Sequence, residues 1–229
     1  MIKEAIILAG GLGTRLRGVI PDLPKCMAPV NGKPFIGYVI NHLKQQGIER
    51  YVFSLGYKHD YFTDYLSKQL SPEQFVLCIE EEPLGTGGAI KYAAQSAISD
   101  NVIVTNGDTL FGVDIKQLIQ QHIMNKADCT LSLKAMKQFE RYGVVEIDSN
   151  YKVTSFKEKT YYESGFINGG VSSLNLNTFN KETLPQKFSF EKDYLETFYQ
   201  QRAIYATIQD AYFIDIGIPE DYERAAREL

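Results

Sequence analysis

Residues 8–25 read LAGGLGTRLRGVIPDLPK, and they follow a short apolar run at residues 5–8. A strand followed by glycines and basic residues is typical of a phosphate-binding loop, because glycine lets backbone N–H groups approach phosphate oxygens closely. Arg15 can offer two donors to one phosphate, and Lys25 can add a point charge. The stretch therefore predicts a strand leading into a phosphate site, with a tight turn and a solvated basic flank as the alternative.

Two familiar phosphate-binding loops do not fit this stretch. A dinucleotide-binding fingerprint requires G-x-G-x-x-G, but Leu16 stands at the third glycine position after Gly11 and Gly13. The next apolar run, at residues 51–55, has no acidic residue at its end to hold a ribose. A P-loop requires lysine where Val19 stands. An NAD(P)-dependent oxidoreductase is therefore disfavoured, and so is a P-loop enzyme.

Outward from this loop, apolar runs rich in β-branched residues alternate with helical patterns. The strand-like runs lie at residues 5–8, 51–55, 75–79 and 102–105, and the helical patterns at 34–46, 60–70 and 87–98. Such alternation predicts a mainly parallel sheet with helices on both faces. We therefore expect an α/β protein with a Rossmann-like, three-layer α/β/α fold and a mixed central sheet.

After about residue 128 the sequence becomes richer in strands. Strand-like runs lie at 129–134, 143–147, 152–157, 166–174, 203–208 and 212–216, and helices are predicted at 191–200 and 219–228. We expect a single domain over residues 1–229, with a nucleotide-binding half at about 1–128 and a β-richer half at about 129–229 that completes the site. No hexapeptide repeat follows residue 216, so no β-helix domain is expected.

Composition bears on whether the protein binds nucleic acid, on its cellular compartment and on whether it spans a membrane. The 229 residues carry a formal net charge of −4 and no basic run, so nucleic acid is not an expected partner. The three cysteines, Cys26, Cys78 and Cys129, are scattered, which fits a reducing compartment and predicts a cytoplasmic protein. No apolar stretch is long enough for a membrane span, and no signal peptide is expected. A homo-oligomer is left open.

The glycine-rich loop and several later motifs resemble those of a known family. GGLGTRL at residues 10–16, Lys25, and MAPVNGKP at residues 27–34 resemble the signature of the sugar-1-phosphate nucleotidyltransferases. Further motifs follow in the family's order along essentially the whole chain: EPLGTGG at 82–88, NGD at 106–108, FKEK at 156–159, NGG at 168–170 and FIDIG at 213–217. The resemblance implies an enzyme that joins a nucleoside monophosphate to a sugar 1-phosphate.

Two departures from the signature point to one branch of that family. Gly18, Val19 and Ile20 stand where the family usually has Pro-Leu-Thr, and Thr160 stands where it usually has proline. Both resemble a compact branch that uses GTP and D-glycero-D-manno-heptose 1-phosphate. Mannose 1-phosphate with GTP, or another sugar 1-phosphate with UTP, remains the alternative substrate pair. A non-catalytic nucleotide-sugar-binding regulator on the same fold is the alternative of a different class.

The implied reaction is attack of a sugar-1-phosphate oxygen on the α-phosphorus of a nucleoside triphosphate. The nucleophile needs no general base, because a phosphate monoester with a second pKa of about 6 is mostly a dianion at neutral pH. Catalysis then depends on positioning and charge neutralisation. The resemblance implies Mg²⁺ held by Asp108 and Asp215, with Arg15 and Lys25 offsetting the triphosphate charge.

The resemblance also implies two sets of binding residues. The nucleotide set is Leu8, Ala9, Gly10, Gly11, Gly13, Thr14, Arg15, Lys25, Glu80, Pro83, Gly85 and Thr86. The sugar-phosphate set is Gly143, Glu158, Lys159, Asn168 and Gly169. For the base, an acidic residue such as Glu80 could accept from the N–H groups of guanine, or could belong to a solvated strand end. Uracil could instead be bound by backbone groups of Leu8, Ala9 and Gly85.

Overall fold

The computed structural model describes residues 2–11, 16, 18–56 and 58–229. Its strands are β1 (Glu4–Leu8), β2 (Pro29–Val30), β3 (Lys33–Pro34), β4 (Arg50–Leu55), β5 (Phe75–Ile79), β6 (Asn101–Asn106), β7 (Thr109–Phe111), β8 (Cys129–Phe139), β9 (Val145–Ile147), β10 (Val153–Phe156), β11 (Tyr162–Asn175), β12 (Ile204–Ile208) and β13 (Phe213–Asp215). Its α-helices are α1 (Phe35–Gln45), α2 (Asp60–Gln69), α3 (Gly85–Ala93), α4 (Ile115–Met124), α5 (Leu176–Phe179), α6 (Glu196–Phe198) and α7 (Pro219–Glu228).

A seven-stranded sheet joins both halves of the chain in the order β12-β8-β11-β6-β1-β4-β5. Its neighbouring strands run parallel except where β11 pairs antiparallel with β6 and β8. The fold prediction of a mainly parallel, mixed α/β sheet is therefore confirmed. No helix within the described ranges is long and apolar enough to cross a membrane.

Helices cover both faces of this sheet, because the strands alternate their apolar side chains between two cores. Ala5 and Ile7 of β1 are buried in one core with apolar residues of α1, α2, α4 and α7. Ile6, between them, is buried in the other core with residues of α3 and α5. Successive side chains of a strand point to opposite faces, so this alternation produces the predicted three layers.

A short pairing outside the main sheet positions the candidate site. Strand β13 runs antiparallel to β7, with Asp215 opposite Thr109. The turn before β7 is tied to the end of β1, where the Gly107 amide donates to the Leu8 carbonyl at 2.8 Å. The Ile216 amide donates to the Asp108 carbonyl at 3.1 Å, which closes the link. The ends of β1, β6 and β13 therefore meet at one place.

The elements follow the predicted segments closely, with one difference of type. The predicted helix at 191–200 is a π-helical turn, Phe190–Leu195, followed by the short helix α6. A π-helical turn is wider than an α-helical one and is frequent at functional sites. The short strands β2, β3 and β7 and the helices α4 and α5 are additional to the predicted elements. Strands of two or three residues leave no readable period.

Candidate active site

Three charged side chains from distant parts of the chain converge at the end of the sheet. The Lys25 Nζ lies 2.6 Å from Oδ2 of Asp108 and 3.3 Å from Oδ1 of Asp215. These side chains are mostly shielded from solvent, with exposed fractions of 11% for Lys25, 30% for Asp108 and 19% for Asp215. One ammonium group therefore bridges two carboxylates in a sheltered position.

The local fold explains why these groups meet. Asp108 lies in the tight connection between β6 and β7, and Asp215 ends β13, which pairs with β7. Lys25 begins a 3-10 turn, Lys25–Met27. Gly217 leaves room for two of them, because a Cβ there would lie 2.9 Å from Oδ1 of Asp215 and 3.2 Å from the Lys25 Nζ. A larger residue at 217 would push the bridge apart.

Electrostatics keep the bridge charged. Burial by itself lowers the pKa of the Lys25 ammonium, but Asp108 and Asp215 outweigh burial and raise the pKa above its usual value. Lys25 is therefore cationic at neutral pH. Asp215 is also approached on its other oxygen, Oδ2, by the Tyr142 hydroxyl at 3.4 Å and by the Arg141 guanidinium at 3.6 Å.

A cavity of about 460 Å³ opens beside the bridge and contains most of the predicted nucleotide-binding residues. Its lining includes Leu8, Gly10, Gly11, Lys25, Glu80, Pro83, Gly85, Thr86 and Asp108. Ala9 lies outside the lining, because it is buried and its amide donates to the Ser54 carbonyl at 2.9 Å. Gly13, Thr14 and Arg15 fall outside the described residues, so their placement remains a prediction.

Glu80 is held firmly in this cavity. Its Oε1 accepts from the Ser54 hydroxyl at 2.8 Å, and its Oε2 accepts from the Leu84 amide at 3.1 Å. A Cβ at Gly10 would lie 2.9 Å from Oε1, so only glycine allows the first loop to pass so close to the carboxylate. The carboxylate retains lone pairs for further donors, since each oxygen can accept more than one hydrogen bond.

A second cavity, of about 310 Å³, contains most of the predicted sugar-phosphate residues. Gly143, Glu158, Lys159 and Asn168 line it. Gly169 does not belong to the lining: it lies against β7, where a Cβ would come within 2.2 Å of the Phe111 ring. The structure therefore gives Gly169 a packing reason for being glycine.

A smaller cavity of about 110 Å³ connects the two larger ones through shared residues. Leu8, Thr86 and Asn106 line both it and the 460 Å³ cavity, while Asn168 and Glu191 line both it and the 310 Å³ cavity. Most of the predicted nucleotide and sugar-phosphate residues thus line adjacent cavities, and Lys25 and Asp108 of the bridge line the 460 Å³ one.

Three residues near this space were not singled out from the sequence. Tyr142 lines the 310 Å³ cavity and contacts Asp215, Arg141 approaches the same carboxylate, and Glu191 lies at the connecting cavity. Their sequence signals were weak, since Arg141 and Tyr142 belong to none of the motifs and merely stand before Gly143, a predicted site residue. Glu191 only follows Ser189, a residue type that often begins a helix.

The donor set suits a hard divalent cation. Asp108 and Asp215 supply carboxylate oxygens and already share one positive charge, that of Lys25. Mg²⁺ is commonly bound by one or two carboxylates together with waters and substrate phosphates. Among the described residues no group of three or more His, Cys, Asp or Glu side chains could hold a metal by itself. These two carboxylates therefore fit a cation that arrives with a phosphate ligand.

Comparison with known proteins agrees with this geometry. The sequence matches the nucleotidyl transferase family over residues 4–229. It is 51% identical over 226 residues to the D-glycero-alpha-D-manno-heptose 1-phosphate guanylyltransferase of Aneurinibacillus thermoaerophilus, covering 99% of this chain and 98% of that protein. It is 43% identical over 219 residues to the protein of the same name from Campylobacter jejuni subsp. jejuni serotype O:2, covering 96% of each.

The fold is also similar to a solved structure, that of HddC from Yersinia pseudotuberculosis complexed with GMP-PN. The TM-score is 0.87 with 40% sequence identity, and 99% of each chain is covered. The family match covers nearly the whole sequence, and the relatives align over almost their full length. The fold and the converging charged side chains agree with both. This chain belongs to the nucleotidyl transferase family.

Proposed function

We propose that this protein is a guanylyltransferase for D-glycero-alpha-D-manno-heptose 1-phosphate. An oxygen of the sugar phosphate attacks the α-phosphorus of GTP, the bond from the α-phosphorus to the bridging oxygen of the β-phosphate breaks, and pyrophosphate leaves. The products are the GDP-sugar and pyrophosphate. The two relatives that carry this activity in their names align with the chain over almost its full length, which supports the GTP and heptose assignment.

One observation carries the reaction type. Lys25, Asp108 and Asp215 converge at the 460 Å³ cavity, and the 110 Å³ cavity shares lining residues with it and with the 310 Å³ cavity. Two phosphate anions must approach in line for this reaction, so the main barrier is electrostatic. A sheltered lysine that remains cationic between two carboxylates offers both a phosphate-binding charge and a place for a divalent cation.

We assign Mg²⁺ to Asp108 and Asp215 as the bound cation. When bound, it supplies positive charge that neutralises phosphate oxygens and helps to orient them. The chain's own part is to hold one carboxylate in the β6–β7 turn and the other at the end of β13, and to place Lys25 against both. Lys25 binds the triphosphate through its ammonium group, together with Arg15 and the backbone of Gly13 and Thr14 in the predicted loop.

Guanine is assigned to the 460 Å³ cavity, with Glu80 as the acceptor for its N1–H and N2–H donors. The fixed carboxylate supports this role, because the Ser54 hydroxyl and the Leu84 amide already set its orientation. Pro83, Gly85 and Thr86 complete the second loop beside it. A base that presents an acceptor in place of these donors would face an unfavourable contact with the carboxylate.

The sugar 1-phosphate is assigned to the 310 Å³ cavity. Lys159 would bind its phosphate, Glu158 and Asn168 its hydroxyls, and Gly143 its ring through the backbone. The division of the chain into a nucleotide half at 1–128 and a sugar half at 129–229 follows from this assignment. The lining residues support it, since those of the nucleotide cavity all precede residue 109 and those of the sugar cavity all follow residue 141.

A pyrophosphate-release assay tests the proposal. The protein is incubated with Mg²⁺, each of four nucleoside triphosphates, and a panel that includes heptose 1-phosphate, mannose 1-phosphate and glucose 1-phosphate. We expect the highest kcat/KM with GTP and heptose 1-phosphate. Release with UTP but not GTP would overturn the base assignment, and no release with any pair would overturn the enzymatic assignment.

A further inference from the structure

Asn168 is fixed at both ends of its side-chain amide. Its Oδ1 accepts from the Gly170 amide at 3.1 Å, and its Nδ2 donates to Oε1 of Glu191 at 3.1 Å. These contacts lie where β11 shifts register against β8, between Asn168 and Ser172. Asn168 therefore presents one remaining N–H in a set direction and holds the Glu191 carboxylate with the other.

Glu191 is placed by the π-helical turn Phe190–Leu195, which is anchored on both sides. The Ser189 side chain accepts from the Lys192 amide, and the Ser189 amide donates to Oδ2 of Asp193 at 2.6 Å. The Phe190 amide donates to the Thr86 hydroxyl at 2.9 Å, which ties the turn to the second nucleotide loop. The backbone beneath Glu191 is therefore fixed relative to both cavities.

The exposed side chain of Glu191 is available as an acceptor beside two of the cavities. It lines both the 310 Å³ cavity and the 110 Å³ connecting cavity. Within the described part of the chain no lysine or arginine forms an ion pair with it, and its assigned partner is the neutral amide of Asn168. A carboxylate with free lone pairs accepts strong, charge-assisted hydrogen bonds from hydroxyl groups.

The charges around the 310 Å³ cavity set the direction in which a sugar phosphate can enter. Three carboxylates line it, Glu158, Glu191 and Glu196, and so do three lysines, Lys157, Lys159 and Lys192. Lys157 is already paired with Glu146. Burial, followed by the charges of Glu158 and Glu191, raises the pKa of Glu196, which shows that these carboxylates lie within electrostatic reach of one another. The carboxylates repel a phosphate and attract hydroxyl donors, so the sugar ring belongs beside them.

We propose that Glu191 accepts a hydrogen bond from a hydroxyl of the sugar and that Asn168 holds the carboxylate in position for it. The inference rests on the proposed function, because it assigns a further contact for that substrate. Glu191 is then a determinant of which sugar 1-phosphate is bound, and Asn168 acts partly through it.

Steady-state kinetics of four proteins test this role: wild type, Glu191→Ala, Glu191→Gln and the control Glu163→Gln. Glu163 is an exposed carboxylate on β11 that lines none of these cavities. Removal of a hydrogen bond to a charged group predicts that Glu191→Ala raises the KM for the sugar 1-phosphate roughly tenfold or more. Glu191→Gln, which can still accept from Asn168, is expected to show a smaller rise. The KM for GTP and the thermal midpoint should not change.

Deoxy analogues of the sugar 1-phosphate identify the contact directly. One analogue should bind the wild type more weakly yet lose no further affinity in Glu191→Ala, because the missing hydroxyl and the missing carboxylate belong to one interaction. Equal losses in both proteins for every analogue would overturn the inference, and so would an unchanged sugar KM in an active Glu191→Ala protein. A wild type that turns over no sugar 1-phosphate would overturn the proposed function and this inference together.

Discussion

At the scale of single residues, the position of Asp215 depends on groups from three elements. Lys25 approaches one carboxylate oxygen, while Tyr142 and Arg141 approach the other. Arg141 also forms an ion pair with Asp221 in the first turn of α7. Among the described residues Asp108 has fewer such supports, since its side chain contacts Lys25 and the neighbouring Thr109 hydroxyl. The two carboxylates are therefore expected to differ in how readily they move.

Asp108→Asn tests the carboxylate on the β6–β7 turn. We expect kcat to fall roughly 100-fold or more, because an amide cannot neutralise a cation or hold Lys25 by charge. The fold should remain, since the side chain is partly exposed and has no apolar packing role. Pyrophosphate release measures the fall in kcat, and circular dichroism checks that the fold remains. A fully active variant would show that the metal lies elsewhere.

Tyr142→Phe tests the support of Asp215. The phenol keeps its proton at neutral pH, because burial and then the charge of Asp215 raise the pKa of Tyr142. Loss of this weak hydrogen bond should raise the Mg²⁺ concentration for half-maximal activity by roughly three- to tenfold. Mn²⁺ binding, measured by electron paramagnetic resonance in the presence of GTP, should weaken in parallel.

Tyr212→Phe is the matched control for that experiment. Tyr212 lies in the same groove as Asp215, but its hydroxyl donates to Glu228 at 2.8 Å. We expect its metal dependence to equal that of the wild type. If both phenylalanine variants behaved alike, the contact between Tyr142 and Asp215 would have no role in metal binding.

At the scale of elements, the second glycine loop serves packing in addition to the binding proposed for it. The amides of Gly87 and Gly88, in the first turn of α3, both donate to the Phe188 carbonyl, at 2.9 and 3.3 Å. A Cβ at Gly87 would meet the Phe188 ring, and one at Gly88 would lie 2.3 Å from the Gln186 carbonyl oxygen. The segment at 186–188 therefore covers the start of α3, and these two amides already donate to the protein's own backbone.

Gly88→Ala is expected to lower the free energy of unfolding by about 1–3 kcal/mol, because the clash with backbone outweighs alanine's better helix propensity. Urea unfolding measures the change. Gly112→Ala serves as the control, since its added Cβ would meet neighbours only at ordinary contact distances of 3.7 Å or more. A Gly88→Ala protein as stable as the control would contradict the close packing.

The sequence predicts elements better than it predicts their contacts. Helix α1 could be placed from its apolar spacing, and β1 and β4 from short, nearly continuous apolar runs. Helix α7 begins at a proline, a typical first residue of a helix. The pairing of β7 with β13 could not be predicted, because three-residue strands carry no period, yet it brings Asp215 to Asp108. Glu191 was missed for a similar reason, since its role depends on a bulge in β11 and on a π-helical turn.

At the scale of the whole molecule, one sheet carries strands from both halves, and the Lys25–Asp215 ion pair crosses between them. Stability is therefore expected to be shared, so a buried group in either half should affect the entire protein. His122 of α4 is such a group: its ring lies 3.0 Å from Oγ1 of Thr130 and 3.0 Å from Oδ1 of Asn101. These partners fit a neutral imidazole, with Nε2–H donating to Asn101.

Burial lowers the pKa of His122 to about 4, with Asp128 opposing the shift only in part. The unfolded chain therefore binds a proton near pH 6.5 that the folded protein does not, and stability is lost as pH falls from 6.5 towards 4. Between pH 6.5 and 5 this linkage should remove about 2 kcal/mol. Urea unfolding of the wild type and His122→Gln checks it: an equal pH dependence in both would contradict the assignment.

The fate of the label during turnover of radioactive GTP with heptose 1-phosphate and Mg²⁺ tests directly which phosphate is attacked. If Lys25, Asp108 and Asp215 serve attack on the α-phosphorus, the α-phosphate label will appear in the GDP-sugar and the γ-phosphate label in pyrophosphate. Transfer of the γ-phosphate label to the sugar, or its release as inorganic phosphate, would contradict this account.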